Sequence, residues 1–446
     1  MRKLTGSTWG ANEKTLRTVY EGSVRHQLEY GSTAFSSAAK TNLQRLDKVQ
    51  NQAMRIITGA MRSTPIAAME EVTGIQPLQK RRDLKIVLQS EKFKCQQRHP
   101  MNGRFQKLNR GRIQRESFVS QAKKLEETHI NHLPKNPTPP DLYSFKPWEE
   151  ASCSGIKIHT KIPQLFPGDT QADIIKRNIS IAHCEDKYPL EAWTYAYTDG
   201  SATKAVKDGG AGVFIKYPNG LTSERSAPTG IHCSNYRAEV EALRMAVGMV
   251  RDDPSNNSYQ VVFMTDALSV LEALADGKEQ KLMSCLQDLS LTHRVALQWI
   301  PAHCGIPGNE KADQLAKEGA KVNQIEEDMT YHEKRTLIKS IFRNQPRKDE
   351  YRYLEREEQV IIFRLRTGHN RLNAHMHKKF RLTPTSACSC QQGDQTTEHI
   401  LQSCSKLDTE RVDIWPTGTS LQTKLYGGRE ELIKTAQFIK MINLRI

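Results

Sequence analysis

The sequence lacks any uninterrupted apolar run near the roughly 18 residues that a membrane-spanning helix requires. Its first residues, MRKLTGSTWGANEKT, are basic but have no apolar stretch behind them, so they do not fit a secretory signal. These absences exclude a bilayer-spanning protein and predict an intracellular one without a membrane partner. Nucleus and cytoplasm both stay open, because the basic cluster at Lys80, Arg81 and Arg82 is too short to decide between them.

Acidic residues are scarce relative to basic ones. The 446 residues carry 65 Lys and Arg against 50 Asp and Glu, a net charge of +15. A positive field of this size favours a polyanionic partner, and counterion release would make the binding salt-dependent. Nucleic acid is therefore the predicted partner, although a basic protein without such a partner would have the same composition.

Clustered cysteines are absent from most of the chain. The nine cysteines are scattered, apart from Cys388, Cys390 and Cys404 in the segment ACSCQQGDQTTEHILQSC, which also contains His399. Scattered cysteines in an intracellular chain indicate reduced side chains, whereas a cluster indicates metal ligands. Three thiolates and one imidazole suit tetrahedral Zn²⁺, and a complete set of four ligands predicts a structural site. The alternative is four unrelated residues.

The length suggests about two to four domains. Residues 14–98 form basic amphipathic segments, with Gly59 placed to end one helix and Pro65 to begin the next. Residues 99–190 have a weaker signal and are predicted as a linker, proline-rich in LPKNPTPP at 133–140. Residues 191–322 are predicted as the central domain, and residues 330–446 as a helical region that contains the cysteine cluster.

The order of elements in residues 191–322 predicts the fold class. A hairpin with a turn at Pro218, Asn219 and Gly220 comes first, and the later strands are separated by helices. This order predicts a multi-domain protein with a central α/β mixed sheet flanked by helices. Helical modules are expected before and after it.

Two predicted strands of the central domain end alike, in YTD with Asp199 and in MTD with Asp266. If these strands are parallel neighbours, both carboxylates emerge at one edge of the sheet. The helix predicted from about Asn235 carries Glu239, and the last helix of the domain carries Asp313. Four like charges repel one another unless cations lie among them. Each acid taken singly is more often structural or merely solvated, since turns favour Asp for their own reasons, so a metal site depends on their convergence.

A histidine lies in the loop before the last helix of this domain. The stretch WIPAHCGIPGNEKAD places His303 between a strand and the helix that carries Asp313. A lone loop histidine is usually a surface residue. Beside a carboxylate cluster it can shuttle a proton or help product and metal leave, because an imidazole titrates near neutrality.

The blocks YTDGS, NYRAE, MTD and WIPAHCGIPGNEKAD, in this order within residues 197–313, resemble type 1 ribonuclease H in the form fused to non-LTR retrotransposon reverse transcriptases. The resemblance implies an endoribonuclease that hydrolyses the RNA strand of RNA/DNA hybrids with two Mg²⁺ ions, or Mn²⁺ in their place. It implies the metal-binding carboxylates Asp199, Glu239, Asp266 and Asp313.

The same resemblance implies roles for three further residues. His303 would be the mobile catalytic histidine of the loop, and Ser201 and Asn235 would bind nucleic acid. Tyr236 stands where the classical bacterial enzymes have a second asparagine.

Both ends of the chain also resemble non-LTR retrotransposons. VRHQLEYGS and LDKVQNQAMRIITGAMRSTP, within residues 14–98, resemble the end of a reverse transcriptase. The cysteine cluster resembles the carboxy-terminal knuckle of jockey-like elements, so the chain resembles the carboxy-terminal part of such a protein. Asp252 and Asp253, the only adjacent aspartates, lack the aromatic context of a polymerase palm. Polymerisation is therefore not expected from this chain alone, and a separate polymerase domain is an expected partner.

Two other interpretations stay open. A catalytically inactive, nucleic-acid-binding remnant of a retroelement would bind the hybrid without cleaving it. A zinc-stabilised interaction module would use the ribonuclease fold only for assembly.

Overall fold

The computed structural model describes residues 1–96, 99–106, 116–134, 155–165, 171–204, 206–253, 258–326, 328–343 and 349–446. The chain divides into two compact units. We call Met1–Gln89, Asn109–Glu126 and Phe342–Ile446 the helical unit, and Ser90–Leu108 and Glu127–Ile341 the sheet unit. In the part of the chain that is described, no helix combines the length and the apolarity needed to cross a bilayer.

The elements follow one another along the chain. Those before the first strand are α1 (Glu13–Val19), α2 (His26–Glu29), α3 (Lys40–Thr58), α4 (Ile66–Thr73), α5 (Leu78–Cys95), α6 (Asn102–Gln106) and α7 (Phe118–His129). Next come β1 (Ile156–His159), α8 (Asp173–Lys187), β2 (Thr194–Thr203), β3 (Lys207–Lys216), β4 (Thr222–Gly230), α9 (Asn235–Asp252), β5 (Gln260–Thr265), α10 (Leu268–Ala275), α11 (Gln280–Ser290), β6 (Arg294–Trp299), α12 (Pro307–Gly319) and α13 (Tyr331–Ile341). The last are α14 (Arg356–Thr367), α15 (Asn373–His375), α16 (Asp408–Ile414), α17 (Leu421–Tyr426) and α18 (Arg429–Met441).

The strands form one mixed sheet in the order β1, β6, β5, β2, β3, β4. The hairpins join β2 to β3 and β3 to β4 in antiparallel pairs. The pairs of β2 with β5, β5 with β6, and β6 with β1 are parallel. Val213, Phe263 and Leu297 are fully buried in the core of the sheet unit. The predicted mixed sheet flanked by helices is confirmed.

Residues 99–190, predicted as a linker, contain α6, α7, β1 and α8 in their described parts. β1 pairs with β6 from Ile156 opposite Val295 to His159 opposite Gln298. Ile156 and Cys184 of α8 belong to the same buried core as the central strands. The four residues of β1 alternate between apolar and polar, but so short a pattern does not distinguish a strand from a loop. The proline-rich spacer lies outside the described residues from position 135 onward.

Glycines let two helices approach the sheet closely. A Cβ atom on Gly200 of β2 would lie 2.2 Å from the amide nitrogen of Glu239 in α9. A Cβ atom on Gly212 of β3 would lie 2.1 Å from the carbonyl oxygen of Ala312 in α12. Side chains are therefore excluded at both glycines, and the backbones of α9 and α12 rest directly on the strands.

The helical unit combines helices from both ends of the chain. As predicted, α3 ends at Gly59, which has a φ of +66°, and Pro65 precedes α4. Met54 of α3 shares one buried core with Phe363 of α14 and Leu432 of α18. The segments predicted as two helical modules, residues 14–98 and 330–446, thus contribute to a common core.

Candidate active site

Asp199 and Asp266 are neighbours because β2 and β5 pair in parallel. The parallel ladder ends with Thr198 opposite Thr265, and the two aspartates come directly after it. β5 ends there, but β2 continues to Thr203 in the antiparallel ladder with β3. The prediction that Asp199 ends its strand is therefore wrong, whereas the shared edge of the two aspartates is observed.

Glu239 joins these aspartates from α9. The absent side chain at Gly200 allows the backbone of Glu239 to lie against β2. One carboxylate oxygen from each of Asp199, Glu239 and Asp266 lies within 4.8 Å of the other two. Asp199 is only 7% exposed, and the other two side chains are half-buried. We call these three residues the carboxylate triad.

Burial and mutual repulsion disfavour ionisation of the triad. Burial, followed by the charges of Asp266 and Asp313, raises the pKa of Asp199 to about 8. Burial and the charges of Asp199 and Asp266 raise the pKa of Glu239 well above its ordinary value. Burial also raises the pKa of Asp266, against the opposing effects of Asn309 and His303.

The chemistry of the triad fits a divalent cation. Oε2 of Glu239 is buried and has no hydrogen-bond partner among the described residues. An ionised carboxylate oxygen in this state is costly unless a cation compensates it. Several carboxylate oxygens at one open edge are the hard ligands that Mg²⁺ prefers.

Asp313 and His303 lie beside the triad without belonging to it. Asp313 of α12 is close enough to Asp199 to raise its pKa, and its Oδ2 accepts a hydrogen bond of 2.5 Å from Nζ of Lys317. His303 is exposed in the predicted loop between β6 and α12, with a φ of +49°. Its charge lowers the pKa of Asp266.

The predicted nucleic-acid contacts lie near the same edge. Ser201 is half-buried in β2, opposite Gly210 of β3. Asn235 is exposed at the first position of α9. The next residue, Tyr236, donates a hydrogen bond of 2.6 Å from its hydroxyl to Oε1 of Glu279. The roles of Ser201 and Asn235 in binding stay predictions.

Sequence reasoning missed two side chains that support the carboxylates. Nδ2 of Asn309 donates to Oδ2 of Asp266 at 3.3 Å, and Lys317 pairs with Asp313 one helical turn away. The spacing of four residues between Asp313 and Lys317 is a signal that could have found the second pair. The contact of Asn309 depends on the tertiary fold and leaves no local signal.

Comparison with known proteins finds a family match for part of the sheet unit. Residues 191–321 match the family model of RNase H. Similar solved structures include RNase H1 from the halophilic archaeon Halobacterium salinarum, with 20% identity, 29% of this chain and 97% of that chain covered, and a TM-score of 0.25. Another is the N-terminal RNase H domain of a Mycobacterium tuberculosis protein fused to maltose-binding protein, with 19% identity, coverage of 29% and 94%, and a TM-score of 0.24.

We call residues 191–321 the RNase H segment. The ribonuclease H part of the sequence resemblance is confirmed for these residues. The resemblance of the two ends of the chain to a retrotransposon protein stays a prediction.

A second group of candidate ligands lies in the helical unit. One atom from each of Cys388, Cys390, His399 and Cys404 lies within 4.8 Å of the others. The Sγ atoms of Cys388 and Cys404 are 3.7 Å apart. Two thiolates bound to a tetrahedral Zn²⁺ at about 2.3 Å would be separated by about 3.8 Å. The four residues therefore fit Zn²⁺, and we call them the Cys3His group.

The turn after Cys390 favours the ionised form of its thiol, which is the form that binds a metal ion. The amide of Gln392 points at Sγ of Cys390 from 3.5 Å and lowers the pKa of that thiol. Burial instead raises the pKa of Cys404 to about 11. A bound cation would favour the ionised form of both thiols.

A buried carboxylate outside the RNase H segment holds the start of α9. Oε1 of Glu333 in α13 accepts a hydrogen bond of 2.9 Å from the amide of Ser234, the N-cap of α9. Oε2 accepts two further bonds of 2.9 Å from Thr330. Nε of Arg237 lies 3.4 Å from Oε1, and Glu333 is 1% exposed. α13 thus supports the helix that carries Glu239.

We expect the metal-free chain to lose stability as the pH rises from about 5 to 8. The pKa of Asp199 rises from 3.8 to about 8 on folding, so the folded state keeps a proton that the unfolded state releases. The free energy of unfolding then falls by up to about 1.4 kcal/mol per pH unit. Thermal unfolding at several pH values measures this slope. Asp199→Asn should flatten it, the exposed Asp276→Asn should not, and an unchanged slope in Asp199→Asn would contradict the prediction.

We expect Glu333→Ala to destabilise the sheet unit by about 2–3 kcal/mol, because it leaves the amides of Ser234 and Thr330 without their acceptor and removes the ion pair with the half-buried Arg237. Urea unfolding measures the loss, and amide exchange should rise first at Ser234 and Arg237. Glu241→Ala is the matched control, since it breaks the more exposed pair with Arg244 on the same helix and should cost under about 1 kcal/mol. Similar losses in both variants would refute a special role for Glu333.

Proposed function

We propose that this chain is a metal-dependent endoribonuclease that hydrolyses the RNA strand of RNA/DNA hybrids as part of a retrotransposon protein. The observation that carries the proposal is the carboxylate triad, in which a buried oxygen of Glu239 receives no hydrogen bond from the described part of the chain. The match of residues 191–321 to RNase H supports the choice of substrate. The sequence resemblance at both ends of the chain supports the retrotransposon context.

The carboxylates have distinct tasks in this proposal. In-line phosphodiester cleavage of this kind would need two bound divalent cations, whose chemistry when bound is to activate a water and to stabilise the leaving oxygen. Asp199, Glu239 and Asp266 would hold these ions, Mg²⁺ or Mn²⁺, and Asp313 would complete the set from its position beside Asp199. The amide of Asn309 orients Asp266 through its hydrogen bond to Oδ2.

Two further side chains would assist the carboxylates. Lys317 would support Asp313, and His303 would transfer protons. Lys317 forms an ion pair with Asp313 one helical turn away and would hold that carboxylate in position on α12. His303 is exposed beside Asp266 and can exchange protons with solvent. An imidazole in this position can give a proton to the leaving oxygen or take one from water.

Recognition of the RNA strand requires no reading of base sequence. An RNA strand displays 2′-hydroxyls in a wide, shallow minor groove. Ser201 and Asn235 supply polar side chains near the triad that can bind these hydroxyls. Tyr236 is held in place by Glu279 and offers an aromatic ring at the position of the second asparagine of the classical enzymes.

The Cys3His group would bind one structural Zn²⁺ ion. Cys388 and Cys404 are buried in a core that also contains Trp415 and Phe438. A complete set of four protein ligands leaves no position for substrate. The ion would therefore stabilise the carboxy-terminal part of the helical unit and take no part in cleavage.

Cleavage of an end-labelled RNA/DNA hybrid tests the main proposal. We expect RNA cleavage that requires Mg²⁺, with a double-stranded RNA left intact. Asp199→Asn and Asp266→Asn should abolish turnover because each removes a triad carboxylate, and His303→Ala should reduce it by about 100-fold. Asp276→Asn is the matched control, since this exposed aspartate pairs with Lys278.

Two outcomes of this experiment would contradict the proposal. Hybrid that is bound but never cleaved would favour the inactive remnant, and unchanged turnover in both triad variants would refute the site. A primer-extension assay on the same preparation should show no DNA synthesis, because the adjacent aspartates Asp252 and Asp253 lack the aromatic context of a polymerase palm.

Metal analysis of the purified chain tests the zinc site. We expect one zinc per chain, and Cys388→Ser and Cys404→Ser should lose it and melt at a lower temperature. Cys285→Ser should keep the zinc, because this half-buried cysteine lies outside the Cys3His group. A folded chain without zinc, or equal zinc loss in Cys285→Ser, would overturn the assignment.

A further inference from the structure

The positive charge of the chain lies outside the RNase H segment. Residues 191–321 contain 13 Lys and Arg against 16 Asp and Glu, a net charge of −3. The other 315 residues therefore carry +18. A segment with negative net charge gains little from long-range attraction to a polyanion. Affinity for nucleic acid is then expected from another part of the chain.

One stretch of the helical unit has no acidic residue. Residues 359–393 contain six Lys and Arg and three His, and no Asp or Glu. Two of the six cations pair with acids from outside the stretch, Arg366 with Asp349 and Lys378 with Asp394. The stretch 359–393 therefore carries +6, a third of the +18 outside the RNase H segment.

Three cations of this stretch are exposed and unneutralised. Arg371, Lys379 and Arg381 are exposed to solvent, and in the described parts of the chain no carboxylate forms an ion pair with any of them. Their charged neighbours include other cations. Arg371 helps to lower the pKa of Arg364 to about 10, after the larger effect of burial, and Lys379 helps to lower the pKa of His369.

A hydrogen-bonded network fixes the backbone that presents these cations. Nδ1 of His375 lies 2.6 Å from the carbonyl oxygen of Asn370, and a carbonyl can only accept, so Nδ1 carries the proton. In the neutral imidazole, Nε2 then accepts a hydrogen bond of 3.1 Å from the hydroxyl of Ser63. The same hydroxyl oxygen accepts a bond of 3.0 Å from Nδ1 of His369. In the sequence, Arg371 lies between His369 and His375, the two histidines that Ser63 connects.

An aromatic ring completes the surface. Phe380 is 37% exposed, and its ring meets that of His375 in an edge contact with centroids 5.5 Å apart. It stands between Lys379 and Arg381 in the sequence. Exposed aromatic rings between cations are typical of surfaces that bind nucleic-acid strands, because bases stack on the ring while phosphates pair with the charges.

We propose that Arg371, Lys379, Phe380 and Arg381 form a surface that binds the phosphate backbone of nucleic acid, apart from the carboxylate triad. We call these four residues the basic surface. It supplies affinity without reading sequence, because phosphate contacts position a strand and carry no base information. Its action does not depend on cleavage by the RNase H segment.

Binding measurements on the full chain test this proposal. Fluorescence anisotropy with a labelled RNA/DNA hybrid and a labelled single-stranded RNA gives Kd at several salt concentrations. All variants carry Asp199→Asn, so that the hybrid is not consumed, and no chelator is present, so that the Cys3His group is undisturbed. The test variant combines Arg371→Ala, Lys379→Ala and Arg381→Ala.

We expect the triple variant to raise Kd at least tenfold for one or both nucleic acids near 100 mM salt. The slope of log Kd against log salt should fall by about 2 to 3, since each lost phosphate contact removes about 0.7 to 0.9. The matched control combines Lys40→Ala, Arg45→Ala and Lys48→Ala, three exposed cations of α3 in the same unit. It removes the same charge and should change Kd by less than about threefold.

The proposal fails if both triple variants weaken binding equally, because net charge alone would then explain the loss. It also fails if the test variant binds as tightly as the chain that carries Asp199→Asn alone. Equal melting temperatures confirm that the variants fold, and Gln in place of Ala gives a second set with longer side chains. A chain that binds through the basic surface but never cleaves hybrid would support this inference while contradicting the proposed enzyme.

Discussion

Repulsion among three closely spaced carboxylates is the constraint on which the sheet unit depends. Asp199, Glu239 and Asp266 bring like charges within 4.8 Å of one another, and burial makes each charge more costly. Such an arrangement persists only if the surrounding structure holds it in place. The parallel ladder of β2 and β5, and the close contact of α9 with Gly200, provide that rigidity.

The support for the triad extends beyond the residues that match RNase H. Glu333 of α13 receives the amide of Ser234 at the start of α9, although α13 begins ten residues after residue 321. The buried carboxylate therefore links the helix that carries Glu239 to a segment outside the RNase H match. The geometry of a site can depend in this way on parts of a chain that no motif marks.

Much of the site could be predicted from the sequence, because its residues lie in short local patterns. Asp266 follows a buried strand, and His303 and Asp313 share one loop and the helix after it. The Cys3His group is similarly local, since all its members lie within residues 388–404. Local spacing limits where such side chains can go, so sequence reasoning needs few assumptions about the rest of the fold.

Features that depend on distant pairing could not be predicted in this way. β2 continues past Asp199 because its partner there is β3, which no single-strand pattern reveals. Glu333 and Asn309 act across the fold, at partners 99 and 43 residues away. The shared core of Met54 and Leu432 likewise joins segments that look independent in the sequence.

The position of β1 has a further consequence for the isolated RNase H segment. β1 covers the outer side of β6 with a parallel ladder, yet it belongs to residues before the segment. A fragment that began at residue 191 would leave the amide and carbonyl groups along that side of β6 without partners. Uncovered strand edges pair readily with other chains. In the longer chain the edge is the four-residue β1, whereas the fragment would expose the six-residue β6, and we expect the fragment to self-associate more readily.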